Sequence, residues 1–240
     1  MRRALVTGGS GVIGAAICRE LAAAGHHMLV HGHRNEEAAA AVAAEIVAAG
    51  GRADAVLFDV ADAGATAAGL ARLVAHAPID ILVNNAGFTD DAPLAGMTSE
   101  QWHGVIDAIL NGFFNVTQPL LMPMIRARWG RIVNVASIAA LAGNRGQSNY
   151  AAAKAGVIAA AKSLAQEVAR KGVTVNTVAP GIIDTPMARR AFDDARVRAL
   201  VPMQRMGTPA EVAAVVGFLA SDAASYVSGE VIAVAGAMHS

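Results

Sequence analysis

Ala4-Leu5-Val6-Thr7-Gly8-Gly9-Ser10-Gly11-Val12-Ile13-Gly14 is the stretch on which the fold turns. Residues 4–7 read as a short buried strand and residues 14–24 as a helix, so Gly9-x-Gly11-x-x-Gly14 falls between them. That is the setting in which a glycine-rich turn receives a dinucleotide. Without a Cβ the chain turns tightly and comes close to a pyrophosphate, whose charge a helix N-terminus favours. The plainer alternative is a strand–helix turn with no ligand. About twenty residues further on, an acid would grip the ribose 2′-hydroxyl of NAD. This chain instead carries His31-Gly32-His33-Arg34-Asn35 there, with no acid before Glu36. His33 and Arg34 suit a 2′-phosphate through charge-assisted hydrogen bonds, which favours NADP. A solvated basic turn is the competing account.

Outward from this turn, strand-like runs alternate with helical patterns. The strands fall at 25–31, 55–58, 79–84, 132–135, 173–178 and 230–234. The helices fall at 36–49, 63–75, 99–126, 150–170 and 209–219, and Pro119 and Pro123 are expected to bend or break the longest. Such alternation implies parallel strands joined by right-handed helical crossovers. The expected fold is α/β: one doubly wound parallel sheet with helices on both faces, a single domain over residues 1–240. Ligands of such sheets bind beyond the carboxyl ends of the strands. Polar and glycine-rich residues gather at those ends: residues 7–11, 31–34, Asp59-Val60, Asn84-Asn85-Ala86-Gly87, Ser137 and Pro180-Gly181. Asp59 is placed either to accept from an adenine amino group or to serve as a turn residue. The amides at 84 and 85 need partners, so they tie loops together or contact the cofactor.

A second cluster lies in residues 137–154. Tyr150 and Lys154 are four apart in an alanine-rich helical run and project from one face. A phenol beside an ammonium is a proton donor tuned below its reference pKa of about 10. Ser137, a short loop upstream, is placed to hydrogen-bond the oxygen that the phenol protonates. The chemistry this suggests is carbonyl reduction. Alone, the Tyr-x-x-x-Lys spacing more often marks solvated surface neighbours; its weight comes from the rest of the chain.

Bulk properties narrow the classes. Charged residues are 16% and apolar ones 55%, the profile of a globular chain with a large core. A formal net charge of +0 gives no electrostatic ground for a nucleic-acid partner. No apolar run approaches the roughly 18 residues of a membrane span, despite a mean hydropathy of +0.44. Glycines at 8–14 interrupt any signal-peptide core. The single cysteine, Cys18, suits a reducing compartment and reads as core filler, so the expected address is cytoplasmic. The paired histidines at 31 and 33 lack the further ligands of a closed zinc site, and no metal is expected.

Taken together, Thr7-Gly8 to Gly14, Asn84-Asn85-Ala86-Gly87, Asn111, Ser137, Tyr150-x-x-x-Lys154 and Pro180-Gly181 resemble the short-chain dehydrogenase/reductase family over essentially the whole chain. The resemblance implies a Rossmann fold and a tetrad of Asn111, Ser137, Tyr150 and Lys154. Lys154 would also bind the nicotinamide ribose, and Asn111 would hold a water relaying protons to it. The cofactor would touch Thr7, Gly8, Ser10, Gly11, Val12, Ile13, Gly14, His33, Arg34, Asp59, Val60, Asn85, Ala86 and Gly87. It would also meet Tyr150, Lys154, Pro180, Gly181, Ile183 and Thr185. Residues 143–150, 178–185 and 218–226 are similar to the 3-oxoacyl-[acyl-carrier-protein] reductase branch. That likeness implies NADPH-dependent reduction of a 3-oxoacyl thioester in fatty-acid or related polyketide or polyene synthesis. Reduction of a free acyl-CoA or other small ketone, and a non-catalytic cofactor-binding scaffold, are the alternatives. One departure is Val12, where relatives carry glycine; Ala235 near the C-terminus is a second.

Residues 182–207 mix Met187, Phe192, Val201, Met203 and Met206 with Arg189, Arg190 and Asp193, and read as a substrate lid or a surface helix pair. Arg128 and Lys171 match basic residues that dock an acyl carrier protein in relatives, and the resemblance implies a homotetramer.

Overall fold

The computed structural model describes residues 1–238; the last two positions of the 1–240 span lie outside the described residues. In chain order the elements are β1 (Arg3–Val6), α1 (Val12–Ala23), β2 (His27–Gly32), α2 (Glu36–Ala48), β3 (Arg52–Leu57), α3 (Ala63–His76) and β4 (Ile81–Asn84). Then come α4 (Ser99–Ile106), α5 (Gly112–Ala127), β5 (Gly130–Val135), α6 (Ala139–Ala142), α7 (Ser148–Val168) and β6 (Val173–Pro180). The chain closes with α8 (Pro186–Ala191), α9 (Asp194–Leu200), α10 (Pro209–Ala220) and β7 (Val231–Val234).

All seven strands pair in parallel, in the order β3-β2-β1-β4-β5-β6-β7. Alternate strand residues bury on opposite faces, as a period of two requires. Ala4, Val6, Met28, Val30, Ile81 and Val83 join the layer containing α1, α2 and α10. Leu5, Leu29, Leu82 and Ile132 face the layer of α3, α4, α5 and α7. Both layers are apolar because a doubly covered parallel sheet has no wet face. The chain reverses its winding between β1 and β4, and their diverging carboxyl ends open the crevice where such sheets bind ligands.

The long helical stretch departs from expectation. Helix α5 runs unbroken through Pro119 and Pro123. The interruption lies earlier, where Asp107–Asn111 forms one π-helical turn between α4 and α5. Gly112 follows it, packed so closely that an added Cβ would stand 3.1 Å from Val60 Cγ2. No helix among the described residues is long and apolar enough to cross a membrane. Cys18 is fully buried, and burial pushes its thiol up to about 12, which leaves it unreactive core filler.

Candidate active site

The glycine turn sits at the switch point. Gly8 adopts φ +62°, a backbone shape open mainly to glycine. A Cβ on Gly14 would land on the Gly8 carbonyl oxygen and stand 2.9 Å from Asn85 Nδ2. Gly11, by contrast, would meet only the Gly8 oxygen at 3.4 Å, an ordinary contact. The glycines demanded by the backbone are therefore Gly8 and Gly14, with Gly9 tight against Val6 O; of the Gly9-x-Gly11-x-x-Gly14 fingerprint only Gly11 is not required, and Gly8 lies outside it.

Six other helices have N-termini closed by a side chain: Asn35 for α2, Asp62 for α3, Thr98 for α4, Thr185 for α8, Asp193 for α9 and Thr208 for α10. Helix α1, with Gly11 at its N-cap, has no side-chain cap and no acid in its first turn, as is also true of α5 and α7. The first N–H groups of α1 therefore have no side-chain acceptor. An uncapped, acid-free N-terminus behind a turn stripped of Cβ atoms fits a dinucleotide pyrophosphate.

Thr7 and Asn85 hold the turn to β4. Thr7 Oγ1 accepts from the Asn85 and Ala86 amides at 2.9 and 3.0 Å, and Asn85 Nδ2 donates to Thr7 O and Gly8 O at 3.0 and 3.1 Å. Asn84 donates to Thr117 Oγ1 and Asn134 Oδ1, and Asn134 donates onward to Asn176 O. Of the two roles open to these amides, tying loops together is the one their bonds display. Gly87 crosses under Ile109, whose Cγ1 would lie 2.9 Å from an added Cβ.

At the far side of the turn, Asp59 Oδ1 accepts from the Ala61 amide at 2.9 Å, and Oδ2 faces His33 Nε2 at 3.2 Å. Val60 is buried and Ile13 packs partly on the core. Arg34 is exposed beside His33. His31 was placed in the basic turn by sequence. The structure instead buries it under Gly8, a partner no spacing rule predicts.

Three groups converge beyond β5. Lys154 is 4% exposed, and its Nζ donates to Val135 O at 2.6 Å and stands 5.7 Å from the centre of the Tyr150 ring. Burial draws its pKa from 10.5 down to about 8. The Tyr150 phenol is raised above its ordinary value: burial dominates, a hydrogen-bonding interaction with Ser137 opposes it, and Asp91 adds a smaller push upward. Sequence reasoning expected the phenol to be tuned downward. The reversal is physical, because the ring is desolvated while the ammonium is engaged by a carbonyl.

Ser137 Oγ also accepts from the Ala139 amide at 3.1 Å, which fixes the hydroxyl at the start of α6. Asn111 closes the π turn, exposed, with its amide donating to Asp107 Oδ1 at 2.6 Å. Asp107 is a partner that sequence reasoning did not name.

Pro180 O accepts from the Ile138 amide at 3.0 Å, and Gly181 N donates to Val234 O at 3.0 Å. Ile183 is buried and bridges to Gly207, while Thr185 caps α8 by accepting from Ala188 N at 3.2 Å. Arg128 and Lys171 lie elsewhere. They precede β5 and β6, at the amino ends of the strands, where Arg128 donates to Arg170 O at 3.4 Å. No group of three or more potential metal-binding His, Cys, Asp or Glu side chains occurs among the described residues.

Sheet order, switch-point turn and the convergence beyond β5 define an oxidoreductase of the dinucleotide-binding kind. A family model described as short chain dehydrogenase matches residues 2–196, and the chain belongs to that family. It is 42% identical over 240 residues to the 3-oxoacyl-[acyl-carrier-protein] reductase FabG of Chlamydia muridarum, across 99% of this chain and 97% of the relative. It is 45% identical over 242 residues to the acetoacetyl-CoA reductase of Rhizobium meliloti, across 99% and 98%. Among solved structures, a putative gluconate dehydrogenase from Agrobacterium tumefaciens matches with a TM-score of 0.95 at 34% identity, over 99% of this chain and 95% of that one.

Proposed function

We propose that the protein reduces a 3-oxoacyl thioester to the 3-hydroxyacyl thioester with NADPH. The observation that carries this is the convergence beyond β5 of the half-buried Tyr150 ring, the Ser137 hydroxyl and the buried Lys154 ammonium. A phenol, a hydroxyl and an ammonium at one point supply a proton donor and an oxygen anchor for a carbonyl. Bound NADPH supplies the hydride. Tyr150 donates its proton to the developing alkoxide, and Ser137 holds that oxygen. Lys154 binds the ribose and, protonated below pH 8, supplies positive charge near the phenol. Asn111 positions a water for proton return, with its oxygen still free to accept while its amide is on Asp107. His33 and Arg34 receive the 2′-phosphate; Asp59 is then shared between His33 and adenine. Pro180, Gly181, Ile183 and Thr185 border the carboxamide, and residues 182–207 serve as the lid of one dinucleotide-binding domain.

The carrier-protein assignment draws on the FabG relatives, and a free acyl-CoA draws equally on the acetoacetyl-CoA reductases. Docking at Arg128 and Lys171 places a carrier about 20 Å from the phenol end of the same sheet, one six-residue strand away. A homotetramer is the assembly the family likeness supports. A cytoplasmic address goes with these substrates.

The decisive experiment measures turnover of acetoacetyl thioesters on acyl carrier protein and on CoA, each with NADPH and NADH, for wild type and Tyr150→Phe. Wild type should turn over with NADPH preferred, and the phenylalanine variant should lose about 10²–10⁴-fold in kcat. Near-wild-type turnover by the variant would sink the assignment. Equal use of both nicotinamides would sink the NADP part alone.

A further inference from the structure

His31 lies at the carboxyl end of β2, only 1% exposed, and the chemistry above makes no use of it. Its Nδ1 accepts from the Gly8 backbone N–H at 3.1 Å, and its Nε2 lies 2.9 Å from Phe58 O. A carbonyl cannot donate and an N–H cannot accept. The ring is therefore neutral, with its proton on Nε2 and its lone pair on Nδ1. The ring also packs on Phe58, with centroids 4.2 Å apart. The backbone of the same residue takes a second hold on the turn, because Ser10 N donates to His31 O at 3.3 Å. One residue thus links the glycine turn after β1 to the chain after β3.

Gly8 needs this partner for a specific reason. At φ +62° its N–H is spent on the buried His31 ring. A buried amide without an acceptor is costly, and the turn would rearrange to reach one. Rearrangement at Gly8 moves its carbonyl oxygen, against which Gly14 and Gly11 are packed. We propose that His31 is a positioning residue for the dinucleotide: its imidazole pins the Gly8 amide inward and so fixes the phosphate-facing shape of residues 8–14. This rests on the dinucleotide lying on that turn.

The ionisation of the ring agrees with the geometry. Burial brings His31 from 6.5 down to about 4; the Phe58 carbonyl and Asp59 oppose that shift, and His33 reinforces it. The ring therefore stays an acceptor for Gly8 throughout the neutral range.

Two near-isosteres separate the two halves of the clamp. His31→Asn puts an amide oxygen near the Nδ1 position and keeps an acceptor for Gly8. His31→Gln puts its amide nitrogen near Nε2 and keeps only the donor to Phe58. His31→Leu keeps neither. NADPH dissociation constants are read by fluorescence titration of the folded proteins, with Trp102 and Trp129 as reporters. The asparagine variant should bind within about threefold of wild type, and the glutamine and leucine variants about ten- to a hundredfold more weakly. An asparagine variant as impaired as the glutamine variant, or a series that binds uniformly, would overturn the clamp. If the leucine variant fails to fold, the asparagine–glutamine contrast still decides. Failure of wild type to bind NADPH or NADH would instead overturn the dinucleotide assignment, and the clamp with it.

Discussion

The glycine turn and the 182–207 segment both follow the carboxyl ends of strands, yet they are built on opposite principles. The turn is specified by backbone. Gly8, Gly9 and Gly14 leave no room for a Cβ, and His31 and Asn85 engage the Gly8 amide and carbonyl. The 182–207 segment is specified by side chains. Two short helices, α8 and α9, are anchored by buried Ile183, Val197 and Val201, while Met187 is 64% exposed and Met203 equally so. Arg189 pairs with Asp184, and Arg205 with Glu211, on its surface. Such exposed pairs contribute little to stability. One region holds a fixed shape against a ligand made of phosphates and rings; the other presents adaptable apolar surface. Substitution should therefore be punished in the first and absorbed in the second.

The sharpest way to break that comparison is Gly14→Ala beside Met187→Ala. The new methyl at 14 collides with a carbonyl oxygen that is itself fixed by Asn85, so neither can yield cheaply. Overpacking of this kind costs about 1–3 kcal/mol and distorts the turn. NADPH affinity should fall by about a hundredfold or more, with a lower melting temperature. Met187→Ala should leave the dissociation constant of NADPH within about twofold, and alter KM for the thioester by only a few-fold. Equal sensitivity at the two positions would erase the distinction.

Lys154→Met sharpens the comparison from the side of stability, because function there is held against a folding cost. A fall from 10.5 to about 8 corresponds to about 3 kcal/mol of disfavoured ammonium burial. The sign follows from proton linkage. Below pH 8 the lysine is charged both folded and unfolded, and the whole burial cost is present. Between 8 and 10.5 the folded form has shed its proton while the unfolded chain keeps it, so stability rises with pH. Methionine avoids the ammonium but cannot donate to Val135 O. Chemical denaturation should show the variant about 1–3 kcal/mol more stable at pH 7, an advantage that shrinks towards pH 10.5. Its turnover should be lost. A variant less stable than wild type at pH 7 would show that the lysine's bond to Val135 outweighs its burial.

What the sequence made legible follows the same division. Strand alternation, the switch point and the Ser137, Tyr150 and Lys154 cluster were readable because they rest on local periodicity and on residues near one another in the chain. Three features were not. The π turn at Asp107–Asn111 arises where the helix meets Val60 and α7, and the prolines that suggested a break lie inside an intact α5. The raised phenol depends on how much water the assembled fold excludes, which no i,i+4 spacing reports. His31 acquires its role from Gly8, 23 positions away, through a bond that only the parallel pairing of β1 and β2 creates. Asn111 lay between these cases: an amide inside a helix signalled a local irregularity, and it closes the π turn.

Val12 offers the smallest effect and the finest test of where the turn's constraint resides. The family's glycine spacing suggests that a valine here impairs phosphate binding. Yet Val12 opens α1 with its side chain 46% exposed, and Gly11 before it has φ −80° and ψ 167°, extended backbone open to any residue. Neither position calls for glycine; Gly8 and Gly14 carry that demand. Val12→Gly therefore removes a side chain that touches little and adds backbone freedom at the first helical residue. Stability should drop by about 0.5 kcal/mol, below the full helix-interior difference because the first turn is the least constrained. NADPH affinity should change by less than about threefold, since the phosphate-facing amides keep their geometry. A tenfold gain in affinity would show that the valine side chain itself stands in the phosphate path, and would move the constraint from backbone to side chain at this end of the sheet as well.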